Sequence, residues 1–358
     1  MTRIHPAPLP PGATGRAPGD RRRRAFSLAL GSALALAYAL LTQLAFRAHW
    51  SSDALGVLSL GFLLGVPFAL GALAVAVADA AARRSRPYAL LAGWPACALL
   101  GAATIALSWD AAICLVMALP LLLGGASVGG LCARALLAGP RGRRVYAIAV
   151  LPLLLPYLIT PLERHIAPAT SVRQVRNAVV VRAPRAAVWA QVIRVPEIAA
   201  AEWQPGWATL AGLPVPREAT LAGAGVGAVR HATYTDGLAF TERVVAWDEG
   251  RHVRFTIVVD RTGPVPAPFG ALGGPNLDVL DGAYTLEDGP DGATLLTLES
   301  HERLATHFNA YAGWWTDRLM ADLQGHILAV VRARCERAAR GGATAGRGDR
   351  ANPTDEVR

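Results

Sequence analysis

Glu242 is the first candidate for chemistry in this 358-residue sequence, because it interrupts an apolar strand pattern in the segment FTERVV. Alternate side chains of a strand face the same side, so Phe240, Glu242 and Val244 are predicted to share one face. A carboxylate desolvated on that face would have a raised pKa and could act as an acid or a base. The alternative is a rim glutamate that pairs with Arg243 or Arg230.

His301, Glu302 and His307 in the segment HERLATH superficially resemble the helix of a zinc protease with its two histidine ligands. That motif requires two histidines four residues apart on one helix. Here they are six apart across a predicted strand-to-helix junction, so we predict no metal site and expect a surface or capping role.

The segment GAGVG, from Gly223, is only loosely similar to a dinucleotide-binding loop. Its spacing is not GxGxxG, and it precedes a strand instead of opening a helix. We therefore predict a turn or bulge there, and no cofactor.

The distribution of charge excludes several functions. Every basic residue other than histidine is arginine, which excludes catalysis by lysine. Residues 1–164 hold 15 Arg and 5 acids, a net charge of +10, while residues 165–358 hold 20 Arg and 21 acids, a net charge of −1. A nucleic-acid-binding protein would carry its basic surface on the folded domain, so no nucleic-acid partner is predicted.

The excess arginines flank five stretches that contain no acidic or basic residue: 25–46, 54–78, 87–109, 111–133 and 145–162. The first four are long enough to cross a bilayer at about 20 residues per crossing. The fifth has three prolines and could be a short kinked span or an interfacial segment. The sequence thus predicts a transmembrane bundle of four or five helices over residues 25–162, with the lipid bilayer as a partner and a disordered basic segment at residues 1–24.

Arginine placement predicts the orientation of these spans. Clusters at 21–24, 83–86 and 134–144 alternate with connections that hold few charges, and the positive-inside rule places such clusters in the cytoplasm. The N-terminus is then cytoplasmic. If the fifth segment crosses, which we favour, the remainder of the chain is outside or periplasmic; if it does not, the remainder is cytoplasmic.

A second domain follows, starting with the segment NAVVVRAPRAAVWAQV from Asn177. Its β-branched run predicts a strand, and Pro184 is suited to the first turn of a helix. Strand patterns joined by DG, DEG and EDGPDG follow, which predicts an antiparallel sheet connected by tight turns. The last apolar pattern predicts one helix of about thirty residues, with an apolar face through Phe308, Tyr311, Trp315, Leu319, Leu323, Ile327 and Val330.

This order of elements, an α+β fold, resembles the helix-grip fold of the START-related (SRPBCC) superfamily, which includes polyketide cyclases and lipid-transport proteins. The matching segments are VVVRAPRAAVWAQVIRVPEI, LAFTERVVAWDEGRHVRFTIV and YAGWWTDRLMADLQGHIL, and the domain is assigned to residues 171–338, followed by a disordered tail at 339–358. The resemblance implies a curved antiparallel sheet wrapped on the C-terminal helix, with a cavity for an apolar ligand between them.

The candidate ligand-binding residues lie on the sheet face that contains Glu242, on the C-terminal helix and in the Pro/Gly-rich loop that could form a cavity mouth. Aromatic residues at helical spacing are usually core, and in a cavity protein they also form its wall. The set is Trp203, Trp207, Phe240, Glu242, Phe255, Ile257, Tyr284, Tyr311 and Trp315.

Three functions are consistent with the sequence. The favoured one is a membrane-anchored domain that binds a lipid or another apolar small molecule. The second is a structural or regulatory membrane protein whose domain, with a filled core, binds protein partners that the sequence does not identify. The third is a cyclase- or hydratase-type enzyme, which would require Glu242, His231 or Tyr234 to converge on the cavity.

Overall fold

The computed structural model describes residues 18–49, 59–79, 82–83, 85–137, 146–263, 265–266 and 269–348. It separates into two compact units. One is Met1–His49, Gly61–Leu100 and Leu121–Thr160, and the other is Trp50–Leu60, Gly101–Pro120 and Pro161–Arg358, each within the described residues.

Apolar helices make up the N-terminal region. They are α1 (Pro18–His49), α2 (Val66–Val77, preceded by a π-helical turn at Gly61–Gly65), α3 (Arg86–Leu91), α4 (Trp94–Ala106), α5 (Ala112–Leu137) and α6 (Tyr146–Glu163). Large apolar side chains point outward on them, as on Leu41, which is 67% exposed, and Leu158, which is 62% exposed. Such outward apolar side chains suit contact with lipid.

Three segments in the described part of the chain are long and apolar enough to cross a membrane: Ala25–Arg47, Arg86–Ala106 and Ala112–Leu137. The predicted second and fifth segments appear as shorter apolar helices, Gly61–Val77 and Leu151–Glu163. Length and composition therefore support three spans in the described residues, fewer than the four or five that the sequence predicts.

Small residues let α2 and α5 approach closely, because a side chain would collide with the opposite backbone. A Cβ atom on Gly129 would lie 1.9 Å from the carbonyl oxygen of Phe68, and one on Gly71 would lie 1.8 Å from that of Ala126. Glycine at these positions is thus required by helix packing.

A seven-stranded antiparallel sheet forms the C-terminal domain, with the strand order β1-β7-β6-β5-β4-β3-β2. Its strands are β1 (Thr170–Val181), β2 (Pro216–Ala222), β3 (Val229–Tyr234), β4 (Ala239–Asp248), β5 (His252–Val259), β6 (Leu277–Asp288) and β7 (Thr294–Ala305). β2 to β7 follow one another across the sheet, while β1 pairs with β7 over twelve residues and so places the first strand beside the last.

Two short helices, α7 (Arg185–Ile193) and α8 (Trp207–Leu210), lie in the connection between β1 and β2. Pro184 precedes α7 with a φ of −60°, as predicted from its position. The GAGVG segment is the turn between β2 and β3, and its three glycines have φ values of +79° to +90°, which glycine adopts without strain.

One long helix, α9 (Asn309–Gly348), follows β7 and covers one face of the sheet. Its most buried positions are Gln324, Leu328, Val330, Val331 and Cys335, which are 2–3% exposed. Of the predicted stripe, Val330 is buried and Ile327 packs against the core, while Leu319 and Leu323 are only half-buried, so the contact face in the middle of the helix also includes the polar Gln324. The sheet together with this helix is the helix-grip arrangement.

Both ends of the described chain are more helical than the sequence patterns indicate. α1 begins at Pro18, inside the segment predicted to be disordered, and proline is well suited to a first helical turn. α9 continues to Gly348, beyond the predicted end at residue 338, although glycine, a poor helix former, is the most frequent residue of this last stretch. Residues 1–17 and 349–358 lie outside the described residues.

Candidate functional site

The side of the sheet that faces α9, here called the inner face, is defined by strand register. The Arg173 side chain bonds to Asp317 of α9 at 3.0 Å, and Arg173 is directly opposite Glu302 of β7. Directly paired residues in an antiparallel sheet point to the same side, so Glu302 also faces the helix. Extending the register gives Tyr284 of β6, Phe255 of β5, Glu242 of β4 and Arg230 of β3.

One part of the inner face is a packed apolar core. Leu296 and Val253 are fully buried there, and Leu328 of α9 packs against them in the same cluster. Trp189 of α7 contacts Trp247 edge-on, with 5.1 Å between ring centroids. The predicted site residues Phe255 and Tyr284 belong to this core and contact each other edge-on.

Glu242 forms a buried ion pair with Arg230. Arg230 is one of the two arginines that the alternative prediction, a rim glutamate, named as its partner. Glu242 is 7% exposed and Arg230 is 5% exposed, so the pair is inside the domain instead of at its rim. The Arg230 guanidinium also lies 5.2 Å from the centre of the Phe255 ring, and its Nη2 is 3.5 Å from the carbonyl oxygen of Val192. The Glu242 carboxylate is therefore paired with an arginine, which stays positively charged.

Phe240 and Ile257, two further predicted site residues, lie beside this pair. Phe240 is buried in a small cluster with Leu238 and Val259, and Ile257 packs against it. Tyr234 contacts the Phe240 ring edge-on at 5.3 Å. Burial raises the pKa of the Tyr234 hydroxyl, and the nearby Glu242 carboxylate adds to this shift.

A second polar group on the inner face was not selected from the sequence. The Gln324 side-chain amide donates to the Ser300 hydroxyl at 2.7 Å and to the carbonyl oxygen of Val175 at 3.3 Å. The Ser300 hydroxyl in turn donates to Oε1 of Glu302. Glu302 is only 1% exposed, and this burial raises the pKa of its carboxyl to about 7, although the hydrogen bond from Ser300 opposes the shift.

Seven buried polar side-chain atoms in the described part of this domain have no hydrogen-bond partner. Two are Gln191 Oε1 of α7 and Arg303 Nε of β7, and the other five belong to the inner face, to α9 and to the loop before α8. These five are Arg230 Nε, Glu302 Oε2, Gln324 Oε1, Trp203 Nε1 and Trp315 Nε1. Native proteins leave few such atoms, since each costs about 1–3 kcal/mol. Three of them, on Arg230, Glu302 and Gln324, belong to the inner face or to the helix that covers it, and they are the distinctive feature of the site.

The predicted aromatic residues of α8 and α9 come together at the start of the long helix. Trp315 contacts Tyr311, Trp207 and its neighbour Trp314 with ring centroids 6.4, 6.0 and 4.8 Å apart. Trp314, which was not selected, is 47% exposed and stacks against Arg318 at 4.0 Å. Trp315 is thus the inner member of the group and Trp314 the outer one.

Trp203 is separate from that group and contacts His326 of α9, with 5.5 Å between ring centroids. The preceding residue, Glu202, is held by Arg334 of α9 at 2.7 Å. The hydrogen bonds from Arg334 lower the pKa of the Glu202 carboxyl to about 2. This contact fixes the loop that carries Trp203 against the helix.

Small side chains leave an open surface groove of about 270 Å³ where α9 crosses β1, and Ala178, Gly325, Ala329 and Arg332 in its lining are exposed. Its volume is near the lower end of ligand pockets, which are about 300–1,000 Å³. The nine predicted ligand residues do not line it. The lining residues are Asn177, Ala178, Val179, Ala321, Gly325, Leu328, Ala329 and Arg332.

Both histidines of HERLATH bond to groups from other parts of the chain. His301 Nδ1 lies 2.9 Å from Asp281, and His307 bonds through one ring nitrogen to Glu163 and through the other to the carbonyl oxygen of Ile166. In the part of the chain that the structure describes, no group of three His, Cys, Asp or Glu side chains is arranged to hold a metal ion.

Alternation along β7 was the signal that could have identified Glu302. Leu296, Leu298, Ser300, Glu302 and Leu304 occur at every second position, and all five are buried. The sequence attracted attention to the flanking histidines instead, whose side chains are less buried.

Comparison with known proteins gives only distant similarities. No protein-family model matches the sequence, and no curated protein matches it. Among solved structures, a Chromobacterium violaceum protein is 20% identical with a TM-score of 0.28, covering 46% of this chain and 96% of its own. A Nitrosospira multiformis protein is also 20% identical, with a TM-score of 0.28, covering 47% and 99%.

Truncated norcoclaurine synthase from Thalictrum flavum is 13% identical, with a TM-score of 0.30, and the match covers 47% of this chain and 96% of the synthase. Such low identities and scores support no functional inference. The class defined by the strand order and the covering helix is a helix-grip domain, which here follows a region of apolar helices.

Removing one member of the buried ion pair should destabilise the domain. Glu242→Leu leaves the Arg230 charge buried without its partner, so we expect the free energy of unfolding to fall by about 3–5 kcal/mol. The double variant Arg230→Leu/Glu242→Leu should recover most of this loss. Denaturant titration followed by tryptophan fluorescence measures both.

The exposed pair of Arg217 and Glu197 provides the control, because Glu197→Leu should change stability by less than about 1 kcal/mol. If Glu242→Leu is as stable as the double variant, leaving the Arg230 charge buried without a partner does not cost the predicted free energy of unfolding.

Glu302 should make the domain less stable at alkaline pH. Because its pKa is raised from 4.5 to about 7, the folded state holds this proton more tightly, and the associated stability is lost as pH rises through about 7. Glu302→Gln cannot ionise. The loss of unfolding free energy between about pH 5 and pH 9 should therefore be smaller in the variant, by on the order of 2–3 kcal/mol.

Comparing each protein with itself at the two pH values removes the general effect of the substitution. Equal losses in the wild type and in Glu302→Gln would contradict the assigned shift.

Proposed function

We propose that this protein is a membrane-anchored binding protein whose helix-grip domain holds a lipid or another largely apolar small molecule between α9 and the sheet. The ligand would contact the inner face and the aromatic group around Trp315. The apolar helices would keep the domain beside the bilayer, where such a ligand is dissolved.

The observation that carries the proposal is the set of unpartnered polar atoms on Arg230, Glu302 and Gln324, which belong to the inner face of the sheet and to α9. A core whose only role is stability gains nothing from leaving them unpaired. The open groove along α9, lined by Gly325 and Leu328 on either side of the next helical turn after Gln324, is where a ligand could approach this helix from the surface.

Anchoring is supported by the three long apolar helices and by the arginine pattern. We propose that the shorter helices also cross, which gives five spans and an external or periplasmic helix-grip domain. α6 has 18 residues, which at 1.5 Å per residue is about 27 Å and close to the hydrocarbon thickness of about 30 Å.

The packed core beneath α9 favours a second candidate, a domain that binds a protein partner through its outer surface. The enzymatic alternative receives less support from the geometry. Glu242 is paired with Arg230 on the inner face, whereas His231 is exposed, so these two candidate groups do not converge.

Ligand retention should depend on Trp315 and not on its neighbour Trp314. We expect native mass spectrometry of the full chain, released from detergent micelles, to detect a stoichiometric apolar molecule. Trp315→Arg should lose most of it, because a charge at this internal position disrupts the wall of the site. Trp314→Arg is the matched control and should retain it, since Trp314 is half exposed.

A folded wild-type protein that carries no such molecule, and that binds no member of a panel of lipids and apolar dyes, would favour the protein-interaction alternative.

Fusion of reporters to the C-terminus tests the five-span topology. With five crossings, alkaline phosphatase fused there should be active and green fluorescent protein should be dark when expressed in a bacterium. The same reporters fused after residue 140, within the arginine-rich connection, should give the opposite result. A fluorescent C-terminal fusion would place the domain in the cytoplasm and show that an even number of segments crosses.

A further inference from the structure

Hydrogen bonding around Gln324 uses every available donor and leaves two acceptors. Both donor interactions of its amide are committed, to Val175 and Ser300, and the Ser300 hydroxyl is committed to Glu302 Oε1. Glu302 Oε2 and Gln324 Oε1 remain without a partner. Glu302 is 1% exposed and Gln324 is 2% exposed, so bulk water does not serve them.

The neighbouring cation does not supply the missing donor. Arg173 is opposite Glu302 in the sheet, but its guanidinium is engaged in a two-point contact with Asp317 of α9. Asp317 itself offers only acceptor oxygens, so it cannot provide a donor to Glu302. The free carboxyl oxygen of Glu302 and the free amide oxygen of Gln324, which Ser300 links through hydrogen bonds, can therefore each be complemented only by a hydrogen-bond donor.

We propose that Glu302 and Gln324 form the polar recognition point of the ligand site, and that the ligand is amphipathic, with a hydroxyl or ammonium group at one end. This inference rests on the proposed function and specifies its ligand class. The apolar part of the ligand would contact the walls described above, and its donor group would bond to the two free oxygens.

The energetic reason is the asymmetry of buried hydrogen bonds. A site with unpaired acceptors gains most from a ligand that provides a donor, and it rejects an isostere that lacks one. Two other sources of a donor are a buried water molecule and a proton on Glu302 itself, either of which would serve the oxygens without any ligand. If either of these supplies the donor, the site should show no preference for a ligand that carries a donor over one that lacks it.

Competition between matched probes separates the possibilities. The full chain, in amine-oxide micelles whose headgroup lacks a donor at alkaline pH, is mixed with equal amounts of dodecan-1-ol, dodecylamine and dodecyl methyl ether. Native mass spectrometry then gives the ratio of bound alcohol or amine to bound ether. Because the same micelles are used for each variant, partitioning of the probes cancels when the ratios are compared.

The wild-type ratios should exceed those of Glu302→Leu by about 10-fold, which corresponds to about 1.4 kcal/mol. Glu299→Leu is the matched control, on the opposite face of the same strand, and should keep the wild-type ratios; Arg254 retains Asp281 as a partner there. If Glu302→Leu does not fold, Glu302→Gln replaces it, and the ratio of amine to alcohol should fall about 10-fold with loss of the charge.

Equal ratios in the wild type and in the Glu302 variant, with all three probes bound, would overturn this inference and leave the proposed function intact. Failure of the folded wild-type protein to bind any of the three probes would overturn both.

Discussion

The attachment of α9 to the sheet is the constraint on which the helix-grip domain depends. Polar contacts made by side chains from both sides hold the helix along β1, among them the bond from Asn177 to the carbonyl oxygen of Ala321 at 2.7 Å. Arg173 and Asp317 fix one end, and Arg334 fixes the other by binding Glu202 at 2.7 Å. Because these bonds have defined directions, they set the position of the helix more strictly than apolar packing alone.

This attachment has consequences for the interior. Gln324 is drawn between β1 and β7, where it organises Ser300 and Glu302, and the apolar core is displaced toward the later turns of the helix around Leu328. Polar groups then occupy the region between the core and the aromatic group at the start of α9. Such a distribution differs from a uniformly apolar core, and it is the reason for assigning the ligand a polar end.

Much of the architecture could be predicted from the chain. Glycine, aspartate and proline punctuate the strands, so their antiparallel order followed from turn chemistry, and the final amphipathic run indicated the long helix. The site was less accessible. Phe240 and Glu242 were expected on one face and both are buried, but the depth of the ion pair with Arg230 depends on residues twelve apart being brought opposite each other. Glu302 was considered only as part of the rejected zinc-protease resemblance, and its burial on the inner face was not predicted.

The sequence by itself determined the division into apolar helices and a mixed α+β domain, because hydrophobic period, turn residues and charge placement are local properties. The tertiary structure alone decided that the face of α9 that meets the sheet includes Gln324, whereas Leu323 of the predicted stripe is only half-buried. It also decided that the oxygens of Glu302 and Gln324 are left unpaired. Pairing and desolvation depend on distances between residues far apart in the chain, and no local pattern records those distances.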